Sequence, residues 1–84
     1  MARVLITGST TGLGRAAARH LLDGGHEVVL HARNSVRASS VDDLARRAAG
    51  VVVGDLASGD ETRGVADQVN AIGGIDAVIH NAAV

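Results

Sequence analysis

The 84-residue chain contains no cysteine, proline, phenylalanine, tyrosine or tryptophan, and all eight of its cations are arginine, so lysine is missing too. Without cysteine there is no disulfide, no thiolate nucleophile and no thiolate metal ligand. Without aromatic rings there is no stacking platform for single-stranded nucleic acid. Without tyrosine and lysine, two common general acids and bases are unavailable. A skewed genomic base composition accounts for the pattern, whatever its chemical consequence. The formal charge is only −1, so no global field draws the chain to nucleic acid or to an anionic membrane. No apolar run is long enough to span a bilayer. The opening "MARVLITG" breaks at Gly8, too early for a signal peptide, so a cytoplasmic location is expected. The length fits one small domain at most. Such a chain buries only about 60–65% of its unfolded surface, so marginal stability is expected.

What is present alternates between two periodicities. "RVLIT" (3–7) is a short β-branched run of the kind that forms a fully buried strand. From Leu13 the spacing becomes helical, with Leu13, Ala17 and Leu21 at i, i+4 and i+8, which predicts a helix over 12–23 that stops at Gly24-Gly25. "HEVVLHA" (26–32) reads as a second strand and "RNSVRASS" as a polar loop. Ser40 and Asp43 resemble a capping box before a helix faced by Val41, Leu44, Ala45 and Ala48 and closed by Gly50. "VVVGDL" (51–56) is a third strand running into a turn. Ser58 and Glu61 repeat the cap before a helix lined by Val65, Val69 and Ile72, in which Asp60-Glu61 supplies N-terminal charge. "IDAVIHNAAV" (75–84) holds a fourth strand. The order is βαβαβαβ, which predicts an α/β fold with a parallel sheet and right-handed crossovers.

The first strand runs into "TGSTTGLG" (7–14). The N–H groups of a helix's first turn lack intrahelical partners, and the helix dipole adds partial positive charge there. Gly8, Gly12 and Gly14 let a phosphate approach the backbone, and Ser9, Thr10 and Thr11 offer hydroxyl donors. The turn is therefore a candidate pyrophosphate site, with Leu13 contributing its place in the first helical turn. Its spacing, T-G-x-x-x-G-x-G, is neither G-x-G-x-x-G nor a Walker A loop.

These residues resemble the short-chain dehydrogenase/reductase family, in its classical rather than its extended branch. "TGSTTGLG" looks like the family's TGxxxGxG cofactor motif. "GDL" (54–56) is similar to its adenine-contacting Asp-Leu, and "HNAAV" (80–84) to its Asn-Asn-Ala-Gly stretch. The resemblance spans the chain, with three motifs in order. It implies a Rossmann-type doubly wound sheet, incomplete here, with strand order 3-2-1-4. Carried over by position, Gly8, Gly12 and Gly14 bracket the pyrophosphate. Asp55 accepts from the adenine amino group with Leu56 packing beside it. Asn81 braces the fourth strand, and Ala82 and Ala83 line the adenosine ribose. Ala83 stands where the family usually has glycine. Asp55 also reads, without the resemblance, as a turn residue or helix cap.

At the end of the second strand an NAD site offers Asp or Glu to the ribose 2′-OH. Here the sequence is "HARN" (31–34), with Arg33 able to form charge-assisted bonds to a 2′-phosphate. Arg37 is placed to assist, and Arg15 is a weaker candidate. NADP is therefore expected ahead of NAD. The family's Tyr-x-x-x-Lys pair has no counterpart in this chain. The four histidines lack ligand spacing, and no metal site is expected. His80, nearest a cofactor edge, reads as a packed strand-end residue. Four strands leave strand 4 at an open, apolar edge, an association hazard. Residues 1–84 are thus read as a truncated, N-terminal part of an NAD(P)-binding domain, its catalytic part lying outside the chain. The function expected is hydride transfer between NADPH and a small carbonyl or alcohol substrate, which only the longer enzyme would bind. The alternatives are a non-catalytic dinucleotide-binding module and a structural piece that completes its sheet with another chain.

Overall fold

The computed structural model describes residues 2–82. Its elements are β1 (Arg3–Ile6), α1 (Gly12–Asp23), β2 (Glu27–Ala32), α2 (Ser35–Ser39), α3 (Asp42–Ala45), β3 (Gly50–Val53), α4 (Gly59–Ile72) and β4 (Ala77–Ile79). The strands form one parallel sheet, as the alternation predicts, in the order β3-β2-β1-β4 that the family resemblance implies. Val4 pairs with Val28 and with Ala77, and Leu30 pairs with Val51.

Strand alternation divides the core between the two sheet faces. On one face Val4, Ile6, Val28 and Leu30 pack with Ala18 and Leu22 of α1 and with Val41 and Leu44. On the other, Leu5, Val29 and Val52 pack with Val65 of α4, bordered by Val69 and Ile72. Helices therefore cover both faces of the sheet, the doubly wound arrangement. The crossover reverses between β1 and β4, and a crevice opens at the carboxyl end of the strands there.

Three details differ from the sequence reading. The buried stripe of α1 is Gly14, Ala18 and Leu22; of the expected Leu13, Ala17 and Leu21, the last two pack half-buried at its border and Leu13 is 82% exposed. The small Gly14 and Ala18 let the helix sit close to the sheet, and that close approach sets the face. The loop after β2 contains a short helix, α2, because the Asn34 side chain accepts a hydrogen bond from Arg37 N–H at 2.9 Å. The Ser40–Asp43 capping box does not form. The Ser40 hydroxyl donates to the Arg37 carbonyl instead, Val41 stands at the cap, and α3 is a single turn. The second cap is half formed: Ser58 Oγ accepts from Glu61 N–H, while the Glu61 carboxylate reaches Asp55 N–H.

The two sheet edges differ. At β3 the Gln68 amide accepts from Val53 N–H and donates to the Val53 carbonyl, both at 2.9 Å, which occupies backbone groups that would invite another strand. At β4 all three strand residues are exposed, including Val78 and Ile79.

Candidate functional site

The glycine turn follows β1 and is held by partners at the ends of two other strands, β2 and β4. Gly8 and Gly12 have φ of +64° and +60°, a region that side-chain-bearing residues avoid. A Cβ on Gly8 would lie 3.0 Å from the Ala82 backbone, whereas one on Gly12 would meet only open space. Thr10 and Thr11 N–H have no hydrogen-bond partner among the described residues. The first N–H groups of α1, from Gly12 to Gly14, lack intrahelical acceptors by helix geometry. Donors free of protein partners therefore run from Thr10, which with Thr11 lines the crevice, into the first turn of α1.

Gly14 has a different role. A Cβ there would overlap the Gly8 carbonyl oxygen and lie 2.6 Å from Asn81 Nδ2. Gly14 is the point where α1 touches the turn and the exit of β4, so even an alanine there perturbs the packing as well as the site. Ser9 also departs from its expected part as a phosphate donor. It is fully buried, its hydroxyl donates to the His31 carbonyl, and it accepts from His31 N–H at 2.8 Å.

The 81–82 segment is tied to the turn as well. Asn81 Nδ2 donates to the Gly8 carbonyl at 3.1 Å. Asn81 N–H and Ala82 N–H both donate to Thr7 Oγ1, which in turn donates to the Ile79 carbonyl. Thr7 is thus the clamp between β1 and the β4 exit, a role the sequence reading did not assign it. Ala82 borders the crevice; Ala83 lies outside the described residues. His80 is exposed rather than packed.

Beyond β2 and β3 the crevice widens to about 370 Å³, lined by Gly8, Thr10, Thr11, His31, Arg33, Arg37, Asp55, Leu56, Ala57 and Ala82. Each of the three motifs contributes predicted residues to this one cleft, namely Gly8, Thr10, Thr11, Asp55, Leu56 and Ala82, whereas Ser9, Gly12, Leu13, Gly14 and Asn81 are not in its lining. Arg33 Nε donates to Asp55 Oδ2 at 3.3 Å, and the Arg33 side chain is 71% exposed. Asp55 Oδ1 accepts from Ala57 N–H at 2.9 Å, so Asp55 is also a turn residue. Each carboxylate oxygen keeps a second lone pair for a ligand donor. Leu56 is half-buried against the α4-side core. Gly54 admits α4 at this end, since a Cβ there would lie 2.6 Å from Val65 Cγ2. Arg15 points away from the cleft, to Asp43 at 2.8 Å and to the Ser40 carbonyl, which removes it as a 2′-phosphate candidate. Among the described residues no group of three or more His, Cys, Asp or Glu gathers, and no helix is long and apolar enough to cross a membrane.

The Ala57 N–H, helped by the Arg33 charge, holds the Asp55 carboxyl below the usual carboxylate range. Its folded value lies below its unfolded value, so the stabilisation is present above the unfolded value and fades as pH falls through the folded one. Asp55→Ala should therefore be less stable than the parent at neutral pH, with the gap closing in acid. Urea midpoints across that range measure it, and a pH-independent gap would show that the charge is not the source.

The comparisons with known proteins agree with this geometry. A family model described as "short chain dehydrogenase" matches residues 2–84. Short-chain dehydrogenase chry4 of Gibberella zeae is 56% identical over 82 residues, covering 98% of this chain and 32% of that protein. Glucose 1-dehydrogenase of Gluconobacter oxydans is 31% identical, covering 95% of this chain and 32% of that protein. The crystal structure of a gluconate 5-dehydrogenase from Burkholderia cenocepacia, in complex with NADP and tartrate, superposes with a TM-score of 0.80 at 37% identity, covering 99% of this chain and 34% of that one. The chain spans about a third of the length of these relatives. A doubly wound 3-2-1-4 sheet, a TGxxxGxG turn opening onto a cleft, and a family match over almost every residue place this chain in the short-chain dehydrogenase family of oxidoreductases.

Proposed function

We propose that residues 1–84 form the N-terminal, dinucleotide-binding part of an NADP-dependent oxidoreductase, with the catalytic part supplied by further chain. The observation that carries this reading is the cleft itself. Thr10 and Thr11, whose N–H groups have no partner among the described residues, line it at one end close to the start of α1, and Arg33 and Arg37 line the other. No acid follows β2 to hold a free ribose 2′-OH. Phosphate oxygens suit the N–H groups at the helix start, and a 2′-phosphate suits the arginines. Gly8, Gly12 and Thr10–Gly14 backbone would hold the pyrophosphate, Asp55 and Leu56 the adenine, and Ala82 with Ala83 the adenosine ribose. Bound NADPH supplies the hydride for reduction of a carbonyl to an alcohol. The gluconate 5-dehydrogenase with NADP supports the same reading by likeness. Calorimetric titration tests it: NADPH should bind at least tenfold more tightly than NADH, and equal affinities would overturn the NADP assignment.

A carbonyl reduction also needs a proton delivered to the developing alkoxide by a positioned acid. Neither tyrosine nor lysine occurs in the chain to do this. The chain alone should therefore leave NADPH unoxidised in the presence of carbonyl substrates.

A second reading is supported by β4, whose exposed Ala77, Val78 and Ile79 present an apolar edge and face for another chain to complete. In sedimentation velocity the 84-residue chain should self-associate as concentration rises, and Val78→Lys should suppress this. A concentration-independent monomer would contradict the expectation.

A further inference from the structure

His31 sits at the end of β2, 2% exposed, between the glycine turn and the end of β3. Gly8 N–H donates to its Nδ1 at 2.9 Å, and its Nε2 lies 2.8 Å from the Gly54 carbonyl. A backbone N–H can only donate and a carbonyl can only accept, so both contacts are met by a single form, the neutral ring with its proton on Nε2. The His31 backbone joins the same network through Ser9, whose N–H donates to the His31 carbonyl at 3.1 Å. One residue thus fixes Gly8 and Ser9, the first two positions of the turn after Thr7, in the conformation that leaves the following N–H groups free of protein partners.

We infer that His31 is a positioning residue for the glycine turn, and that only its neutral, Nε2-protonated form holds the turn in the shape that receives a dinucleotide phosphate. This rests on the dinucleotide-binding reading for its ligand, though not for the coupling of His31 to Gly8. Protonation places a second N–H at Nδ1, aimed at the Gly8 N–H. The two donors repel, the Gly8 bond is lost, and the turn must shift. Affinity for the cofactor then falls as pH falls, because the binding-competent turn requires the neutral ring. Other charges border His31: Asp55 at the end of β3, Arg33 after β2, Arg37 on α2, and Glu61 on α4 behind Asp55. Asp55 is already held ionised below the usual carboxylate range, and arginine keeps its charge throughout. The ring therefore has its own effect, separable by substitution.

Two variants separate acceptor from ring. His31→Asn places an amide oxygen near the position of Nδ1, so it can accept from Gly8 N–H without titrating. His31→Phe keeps the ring volume and removes the acceptor. In ¹⁵N-resolved NMR of the unliganded 84-residue chain, the His31 ring should show Nε2 protonated and Nδ1 bare, and the Gly8 and Ser9 amides should shift with the ring's own titration midpoint. His31→Phe should weaken NADPH binding about tenfold, the scale of one buried donor left without a partner. His31→Asn should recover most of that loss and flatten the pH dependence of affinity relative to the parent. Comparing parent and His31→Asn on the same ligand cancels the titration of the 2′-phosphate itself. If His31→Phe fails to fold, the parent NMR titration and His31→Asn still decide the matter. Gly8 and Ser9 amides that ignore the His31 titration, or an unchanged NADPH pH profile in His31→Asn, would overturn the inference. Amides that follow His31 in a chain that binds neither NADPH nor NADH would uphold the positioning role while removing the dinucleotide reading.

Discussion

Gly14→Ala should abolish dinucleotide binding and destabilise the chain together. The added methyl group meets the Gly8 carbonyl oxygen, a backbone atom, and Asn81 Nδ2, which is hydrogen-bonded to that same oxygen. Either α1 moves off the sheet or the Asn81–Gly8 bond breaks. Overpacking of this kind costs about 1–3 kcal/mol. A chain of this size holds on the order of 4–13 kcal/mol in total, at about 0.05–0.15 kcal/mol per residue. The loss is therefore a sizeable fraction of the whole, and it falls where the turn takes its shape. Gly64→Ala makes the matching control. Gly64 lies inside α4 with open space where its Cβ would be. There the same change should stabilise by about 0.5–1 kcal/mol, since it removes the entropy cost of a helical glycine. Urea unfolding of both variants, with NADPH titration, should give shifts of opposite sign. A Gly14→Ala chain as stable as the parent and binding NADPH equally well would contradict the packing account.

Arg33→Ala should weaken NADPH binding by about one to two decades and leave NADH nearly unchanged, because a charge-assisted hydrogen bond is worth roughly 1.5–3 kcal/mol. The Arg33–Asp55 pair does not compete effectively for the arginine. The Arg33 side chain is 71% exposed, and an exposed ion pair contributes about 0–1 kcal/mol. A phosphate that engages the rest of the guanidinium outweighs it. Losing the pair should cost little stability, so the variant's urea midpoint should stay close to the parent's. Equal weakening of both cofactors would make Arg33 a structural residue and remove the basis for choosing NADP.

The sheet was legible because its signal is local. "RVLI", "EVVLHA" and "GVVV" are β-branched runs punctuated by glycine, and the helical spacing of Val65, Val69 and Ile72 is visible within a single turn or two. The phosphate turn was legible for a similar reason, since its glycines lie within one short stretch. What escaped the sequence depends on partners far along the chain. Gly14 is required by Gly8 and Asn81 together, and Asn81 lies 73 residues from Gly8. The Thr7 clamp works on residues 72 to 75 positions away. His31 reads in sequence as one more strand residue, and its bond to Gly8 spans 23 positions. The stripe of α1 was misplaced by one residue because Leu13 is the larger apolar side chain, whereas close packing against the turn selects Gly14. The helix α2 escaped because it has no apolar face: Val36 is 80% exposed, and a single Asn34 cap starts it.

The most direct test of the central claim is an amide-shift map of the 84-residue chain titrated with NADPH. The largest shifts should fall on Thr10, Thr11, Gly12, Leu13 and Gly14, with further shifts at Arg33, Asp55 and Leu56. The outer surface of α4, for example Asp67 and Asn70, should be unaffected. Saturable shifts confined to the glycine turn, the Arg33 segment and residues 54–56 are the result this account predicts. Shifts absent from the glycine turn, or scattered over α4 and the β4 edge, would contradict it.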